Sequence, residues 1–364
     1  MKKLYKTVKF RKYNRKRAER SNRRRLRHKE KKRKSRILQQ TENRTNKKYL
    51  YSKTYENKRK HTVEIVMPEN CSIINNTEEM LSIFRTFRKY VPKQVQIFFD
   101  MSSVSELTGD AIIYMLSMFD WHRKKRGQLN IRGNFPKDQN CSNLLRSSGF
   151  FKYMNTPAPN IQHSKYILEI EKDTKVQPHL AKNIVAFTRE HLQLPRNKKT
   201  KDIYKTIIEC MANTKNHAFE ARSISPLWYL MSIYDEKSKD VTFTFLDAGF
   251  GIPKTIRINK AESFLEKIDK LMRKLHKDIK LINDMELIMQ ALKGAFRTRT
   301  IKGYRGKGLP AIHQYYKSHS IENLIIISRR GYINLSQKNR VLRDDFLGTM
   351  VSWKINKESL GGLI

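Results

Sequence analysis

An abrupt change of composition near residue 60 is the strongest constraint on what this chain can fold into. Residues 1–60 hold 27 of the 76 Lys and Arg residues, only four Glu, and neither Gly nor Pro. Like charges at this density repel one another, and few aliphatic side chains are present to bury, so the segment cannot build a packed core by itself. We therefore predict a basic N-terminal arm over residues 1–60 and folded protein after it.

The charge of the arm predicts a polyanionic partner. The whole chain has a formal net charge of +42, and more than half of this excess falls within the arm. Aromatic residues such as Tyr5, Phe10 and Tyr13 interrupt the basic run, and such rings can stack on bases while Lys and Arg hold phosphates. Nucleic acid is the expected partner, and charge alone does not distinguish RNA from DNA. A solvated tail or another acidic partner is the alternative.

The remaining chain is predicted to form two α/β domains joined by a short linker. Residues 61–154 alternate strands with helices, which is typical of a layered α/β fold. The linker is Asn155-Thr-Pro-Ala-Pro-Asn160, and residues 161–357 form the second domain. The first domain is expected to have strands at 62–66, 94–99 and 129–131 and helices at 77–90 and 109–126, with a further helix ending at Gly149. The second is expected to have strands at 166–170, 228–234, 241–246, 324–328 and 350–355 and helices at 179–191, 202–219 and about 264–279.

Other classes of protein are excluded by simple patterns. No stretch approaches the roughly 20 apolar residues of a membrane-spanning helix, and the basic N-terminus has no apolar run behind it. We expect a soluble cytoplasmic protein without a membrane partner. Cys71, Cys141 and Cys210 are far apart and lack CxxC spacing, which argues against a disulfide framework or a structural zinc site.

Three polar residues share one face of the helix predicted at 202–219. Glu209, Asn213 and His217 lie at positions i, i+4 and i+8. They either point at one bound ligand or form the exposed face of a Lys-rich helix.

Two glycine-containing turns and a final Gly-Thr pair follow that helix. An apolar strand runs into Asp247-Ala-Gly-Phe-Gly-Ile-Pro253, where small residues let a flat ligand approach the backbone or simply form a surface turn. Arg305-Gly-Lys-Gly-Leu-Pro310 precedes a helix, whose free amide groups can face phosphate oxygens. Gly348-Thr349 begins the last strand.

Four motifs follow one another along the chain: the helix face with Glu209, Asn213 and His217, the two glycine-containing turns, and the Gly348-Thr349 pair. In this order they resemble the GHKL family of ATP-binding domains, which includes histidine kinases, gyrase, MutL and the anti-sigma-factor kinases. The resemblance covers about residues 161–357 and implies a two-layer α/β sandwich that binds ATP and Mg²⁺. It implies that Asp247 accepts a hydrogen bond from the adenine amino group, supported through water by Thr349. Gly249 and Gly251 would leave room for the base.

The same resemblance implies a phosphate site. Asn213 would hold the Mg²⁺ that bridges the phosphates, and Gly306, Lys307 and Gly308 would wrap the triphosphate. Glu209 would be the general base that orients the attacking water.

The first domain resembles STAS domains, the fold of anti-sigma-factor antagonists, through residues 97–109, 129–133 and 145–150. Asp110 stands where an antagonist offers a phosphorylatable serine. It is either a permanent phosphate mimic or a carboxylate that caps the helix N-terminus.

Together these features predict a Mg²⁺-dependent ATPase or ATP-controlled switch that its basic arm anchors to nucleic acid. The STAS-like domain is expected to contact a protein partner, and nucleotide is expected to control a homodimer. One alternative is a serine/threonine protein kinase of the anti-sigma type. The other is a nucleic-acid-binding protein with a structural nucleotide site, against which intact Glu209 and Asn213 argue.

Overall fold

The computed structural model divides the chain into two units, residues 1–53 and residues 54–364. It describes residues 54–57, 62–93, 95–127, 130–154, 163–217, 227–258, 282–296 and 308–357, all in the second unit. The predicted helix at 264–279, the linker at 155–160 and the predicted phosphate-binding residues Gly306 and Lys307 lie outside the described residues. The second unit starts at a strand, Thr54–Asn57, which precedes the predicted end of the arm.

A four-stranded sheet comes first. Its strands are β1 (Thr54–Asn57), β2 (Thr62–Val66), β4 (Gln96–Asp100) and β6 (Ile131–Gly133), in that spatial order. β2, β4 and β6 are parallel, and β1 is antiparallel to β2. Two short strands, β3 (Asn70–Cys71) and β5 (Glu106–Leu107), pair with each other beside it. The alternation of strands and helices predicted for this segment is confirmed.

Two helices connect the parallel strands, and their observed bounds equal the predicted ones. α1 (Thr77–Tyr90) follows β3, and α2 (Gly109–Arg126) follows β5. The sequence places apolar residues on one side of α2, but every residue from Gly109 to Asp120 is buried. A helix buried all round must be covered on both sides, and α2 indeed packs against the first sheet and against strands of a second one.

The second sheet has five antiparallel strands in the order β10-β11-β9-β8-β7. The strands are β7 (Ile167–Asp173), β8 (Trp228–Asp235), β9 (Asp240–Asp247), β10 (Glu322–Asn334) and β11 (Arg340–Asn356). The hairpin predicted around residues 235–240 is confirmed, because Asp235 pairs with Asp240. β10 and β11 extend well beyond the predicted strands at 324–328 and 350–355.

Side chains on the two faces of this sheet enter different cores. On β9, Phe243 and Phe245 join one core, whereas Leu246 joins the other. The core that contains Leu246 also holds α1 and α2, and the core that contains Phe243 and Phe245 holds helices on the opposite face. The remaining helices are α3 (Gln139–Ser147), α4 (Pro178–Leu192), α5 (Lys198–His217), α6 (Ile252–Ile258), α7 (Asp284–Leu292) and α8 (Gly308–Lys317). Residues 61–154 therefore share a core with the five-stranded sheet.

Polar contacts join the same two layers. Asp120 of α2 is only 4% exposed and accepts hydrogen bonds from Lys172 Nζ at 2.6 Å and Tyr229 OH at 3.0 Å. The stacked rings of Tyr114 and Phe346 lie 4.5 Å apart between centroids. Asp120 and Tyr114 both belong to α2, so this helix is attached to the second sheet.

Asp110 neither caps its own helix nor presents a carboxylate to solvent. Its side chain is buried, and Oδ1 accepts from Ile73 N at 2.6 Å and from Ser72 Oγ at 3.3 Å. Asp110 lies in the first turn of α2, where a carboxylate is electrostatically favourable, but its hydrogen bonds go to the loop before α1 and to the Thr108 side chain and not to the amide groups of that turn. Burial raises the pKa of Asp110 despite these bonds.

Among the described residues, no helix combines the length and the apolar character needed to cross a membrane. Cys71, Cys141 and Cys210 are buried free thiols.

Candidate functional site

Three polar side chains meet on adjacent strands of the five-stranded sheet. Asp247 ends β9 and pairs with Thr349 of β11, which pairs in turn with Ser328 of β10. Side chains alternate between the faces of a strand, and Phe245 belongs to the core formed with α4, α5, α7 and α8. Asp247, two residues further along, points to the same helical side of the sheet.

Hydrogen bonds hold these groups in one network. Gly249 N donates to Asp247 Oδ1 at 2.8 Å, and a second hydrogen bond joins the Asp247 carboxyl to the Thr349 side chain. Ser328 Oγ lies 3.0 Å from Thr349 Oγ1 and accepts from Ile252 N at 2.9 Å. The turn after β9 is therefore tied to both of the last two strands.

Two glycines allow the backbone to pass through this crowded region. Gly251 has φ +82°, and a Cβ there would lie 2.7 Å from Ser328 Oγ. Gly348 has φ +91°, and a Cβ there would overlap the carbonyl oxygen of Asp247. A side chain would be strained at both positions, so the turn and the last strand can come this close only with glycine.

The carboxyl group of Asp247 is held in an unusual electrostatic state. Burial raises its pKa from 3.8 to about 6, although the hydrogen bonds from Gly249 and Thr349 oppose the shift. Among the described residues, no Lys, Arg or His forms an ion pair with it. A desolvated carboxylate without a cation is well suited to accept a hydrogen bond from a neutral donor such as an amino group on a base.

We expect the affinity for adenosine to rise about tenfold between pH 5 and pH 7, because the carboxylate ionises over this range and only the ionised form accepts fully. Adenosine has no phosphate to titrate, so isothermal titration calorimetry reads the protein group directly. The same rise in pH has the opposite effect on stability, because the raised pKa of Asp247 makes its ionisation cost free energy in the folded state. Its contribution to the free energy of unfolding is complete below the unfolded value of 3.8 and is lost as the pH rises through about 6. An affinity independent of pH would contradict the assignment.

The second group of predicted residues lies on α5 and at the start of α8. Glu209 and Asn213 are both partly buried on α5. A Cβ placed on Gly308, the first residue of α8, would lie 2.5 Å from Asn213 Oδ1. The backbone at the start of α8 thus closely approaches the end of the Asn213 side chain.

The charge of Glu209 acts on residues of both α5 and α8. Burial raises the pKa of Cys210, and the charges of Glu209 and Asp247 raise it further. Burial likewise raises the pKa of Tyr315 on α8, with Asp202 and Glu209 as additional causes. The charges of Glu209 and Asp247 therefore both affect Cys210 on α5.

The structure brings Asp247, Gly249, Gly251 and Thr349 into one group and Asn213 and Gly308 into another, and the charges of Glu209 and Asp247 both act on Cys210 of α5. Gly306 and Lys307 lie outside the described residues, and of His217 only the backbone position at the end of α5 is described.

Sequence reasoning missed Ser328. The sequence marks this residue only by a single hydroxyl at the end of the apolar run Leu324-Ile-Ile-Ile-Ser328. The same pattern equally predicts the end of a strand. Only strand pairing places this hydroxyl beside Thr349.

Replacing Ser328 by Ala should lower the free energy of unfolding by about 1–2 kcal/mol, because Ile252 N–H loses its acceptor in a partly buried setting. Chemical denaturation measures the difference. The exposed Ser238, in the β8–β9 turn, provides the control, and Ser238→Ala should change stability by less than about 0.5 kcal/mol. Equal effects of the two changes would show that the Ser328 hydroxyl does not hold the turn.

A cavity of about 120 Å³ lies behind the turn, between α2 and the sheet. Met118 and Trp121 line it on one side, and Gly249, Phe250 and Gly348 line it on the other. It faces α2, whereas the Asp247 carboxyl faces the helices on the opposite side of the sheet. The cavity and the predicted nucleotide site share Gly249 but lie on different faces of the sheet.

The site offers few protein ligands for a metal. The described residues contain no group of three or more His, Cys, Asp or Glu side chains that could hold an ion. Mg²⁺ usually retains several waters and binds through one or two protein oxygens together with substrate phosphates. The close approach of Gly308 to Asn213 Oδ1 puts the backbone that would face phosphate beside one such oxygen, so the residues present fit a Mg²⁺–nucleotide complex.

No protein-family model matches this sequence, and no curated protein matches it. The functional argument consequently rests on the residues and their geometry.

Proposed function

We propose that this protein is a Mg²⁺-dependent, adenine-nucleotide-binding ATPase or ATP-controlled switch whose basic arm anchors it to nucleic acid. The observation that carries the proposal is the partly buried carboxylate of Asp247, which forms no ion pair with a cation among the described residues. It faces the helical side of the sheet, where α5 and α8 carry Asn213, Glu209 and Gly308.

Recognition of the base would depend on the end of β9. The carboxylate of Asp247 accepts from the exocyclic amino group of adenine, and the Gly249 N–H fixes the carboxylate orientation. Guanine carries a carbonyl oxygen at the corresponding position, and two facing acceptors repel each other. The site therefore selects adenine.

Phosphate binding and hydrolysis would depend on α5 and α8. The N-terminus of α8 directs backbone N–H groups and the positive end of the helix dipole at anionic oxygens. Asn213 Oδ1 would bind the Mg²⁺, which when present neutralises charge on the phosphates. Glu209, four residues before Asn213 on the same face of α5, accepts a proton from the attacking water.

A serine/threonine protein kinase would use the same residues and differ in its acceptor, because a protein hydroxyl replaces water. The deciding experiment is single-turnover incubation with ATP labelled in the γ-phosphate and with Mg²⁺. Release of inorganic phosphate by the isolated protein supports the ATPase. Bound ATP that is never cleaved contradicts hydrolysis and leaves phosphotransfer to a protein or a nucleotide-controlled switch. Failure to bind ATP overturns the whole proposal.

The anchoring role of the arm predicts a steep salt dependence. Each phosphate that a basic residue neutralises releases counterion, so affinity for nucleic acid should fall by orders of magnitude between about 50 and 200 mM salt. Replacing Arg23, Arg24 and Arg25 by Gln should reduce the slope of log K against log salt by about two. Fluorescence anisotropy with labelled RNA and DNA measures the slope. The exposed residues Lys182, Lys237 and Lys338 serve as a matched control, and equal slopes for the two triple variants would exclude the arm.

A further inference from the structure

The cavity between α2 and the sheet is lined by aromatic rings and cations from three distant parts of the chain. Met118 and Trp121 belong to α2, Phe250 and Lys254 belong to the glycine turn and to α6, and Arg329 belongs to β10. Lys254 is exposed, and Trp121 and Arg329 are partly exposed, so the cavity reaches the surface. A ligand can therefore enter it from solvent.

Contacts with their neighbours hold the two aromatic rings of the cavity in place. Lys254 Nζ lies 4.0 Å from the centroid of the Phe250 ring, which puts a cation and a ring side by side. The ring of Trp121 packs edge-on against that of His122, with 4.5 Å between centroids, and His122 is buried. Rings that are already held lose little conformational freedom when a ligand binds, which favours affinity.

The backbone of β10 is distorted where Arg329 joins the lining. The register between β10 and β11 shifts at this residue, and its φ is +54°, which is uncommon for a residue other than glycine. Bulges of this kind redirect side chains, and residues in such conformations are concentrated at binding sites. Arg329 Nη2 donates to Asp345 Oδ2 at 2.7 Å, which fixes the direction of the guanidinium. The chain thus holds a cation at the cavity by means of a strained backbone.

The size and the lining of the cavity indicate the chemistry of its ligand. Its volume of about 120 Å³ is below the roughly 150 Å³ of an engineered cavity that admits benzene, so it suits one six-membered ring at most. Aromatic side chains stack on nucleobases, while Lys and Arg pair with phosphates. A pyrimidine nucleotide combines a single ring with a phosphate that stays outside the cavity.

We propose that this cavity binds one unpaired pyrimidine base of a single-stranded nucleic acid, with Trp121 and Phe250 against the ring and Lys254 and Arg329 near the adjoining phosphates. The inference rests on the nucleic-acid part of the proposed function and adds that the partner is an unpaired strand. A base inside a duplex is stacked and paired and cannot enter. Thymine and uracil carry a carbonyl oxygen where adenine carries its amino group, so they do not suit the Asp247 carboxylate on the other face of the sheet.

The tryptophan emission of the full chain provides a direct test. The chain has three tryptophans, and Trp228 and Trp353 are only 1% and 0% exposed, so Trp121 is the one on which a base can stack. Oligothymidylate should quench the emission, and blunt duplex DNA should not. The Trp121→Phe variant keeps a ring at this position, so it should lose the quenching and bind the strand within about threefold of the wild type. Anisotropy of labelled strands measures the affinity.

Two pairs of variants separate the cavity from the rest of the surface. Phe250→Leu should bind oligothymidylate at least about fivefold more weakly, which is the lower end of what one base stacked on an aromatic ring contributes. Phe151→Leu is the matched control, because Phe151 is equally a partly exposed phenylalanine but lies outside the cavity. Lys254→Gln should reduce the salt slope by about 0.7, the value for one phosphate contact on a single strand, whereas Lys182→Gln should not. Circular dichroism checks that all variants fold.

The possible results separate this inference from the proposed function. A strand that binds without quenching, equal quenching by the duplex, or equal losses in Phe250→Leu and Phe151→Leu would overturn the base site and leave the arm standing. Quenching by thymidine monophosphate or benzoate as strong as by the oligomer at equal concentration would also overturn it and indicate a free small molecule as the ligand. Quenching should survive in Asp247→Asn, and its loss there would place the signal at the nucleotide site. If no strand binds at any salt concentration, the nucleic-acid part of the proposed function fails, and this inference fails with it.

Discussion

The Glu209→Gln variant should hydrolyse ATP about 10²–10⁴-fold more slowly than the wild type in single turnover, with an affinity for ATP within about threefold of the wild type. The amide is nearly isosteric with the carboxylate but cannot take a proton from water. Glu209 lies four residues before Asn213 on α5, so its loss removes the base and leaves Asn213 and the start of α8 in place. Rapid-quench measurement of phosphate release gives the rate, and equilibrium binding of a non-hydrolysable analogue gives the affinity.

Glu190→Gln is the matched control for this result. Glu190 is exposed on α4, outside the proposed site, and its replacement also removes one carboxylate from a helix. The control should hydrolyse ATP at the wild-type rate. Loss of binding in Glu209→Gln, in place of loss of rate, would show that Glu209 holds the fold or the phosphates and is not the base.

The Asp247→Asn variant should bind ATP about 10- to 100-fold more weakly and lose its preference for ATP over GTP. The carboxylate accepts from the adenine amino group and from Gly249 N, whereas an amide has one oxygen and places its own donors opposite a donor. A lost hydrogen bond in a desolvated site costs about 1–3 kcal/mol, which corresponds to this range of affinity. Competition between the two nucleotides, read by calorimetry, measures both effects.

The same variant should unfold at a higher temperature at pH 7, which separates a functional role of Asp247 from a structural one. Because burial raises the pKa of Asp247 to about 6, the ionised group costs stability at neutral pH, and the neutral amide removes that cost. A protein that is more stable and binds less tightly is the pattern expected of a functional site. A variant that is both less stable and weaker in binding would indicate that the carboxylate mainly holds the turn.

Much of the local structure could be predicted because it depends on short-range patterns. α1 and α2 begin and end at the predicted residues, since the spacing of apolar residues and the breaks after them are local signals. The helix α7 was missed, although Asn283 accepts from Glu286 N as an ordinary N-cap, because its nine residues are too few for a clear period.

β10 and β11 were predicted too short because their outer parts contain Arg329, Arg330, Asp344 and Asp345. Those charged residues pair across strands and with the first layer, as the sequence cannot indicate.

The candidate site was predictable as a set of residue types and unpredictable in its supporting contacts. The order of Glu209, Asn213, Asp247, Gly308 and Thr349 indicated a nucleotide site before any geometry was known. The position of Ser328 under the turn, and the raised pKa that results from burial of Asp247, depend on which strands are neighbours. Which strands become neighbours depends on how side chains are buried over the whole sheet.

Local patterns in the sequence were enough to predict a basic arm, most of the helices, the β8–β9 hairpin and a candidate set of polar site residues. These depend on charge density and on periodicity, which act over a few residues. Packing between distant segments places α2 between two sheets and the Asp110 carboxylate beside the loop before α1. Each of these joins residues that are distant in sequence, and such contacts form only when the chain buries both faces of the five-stranded sheet at once.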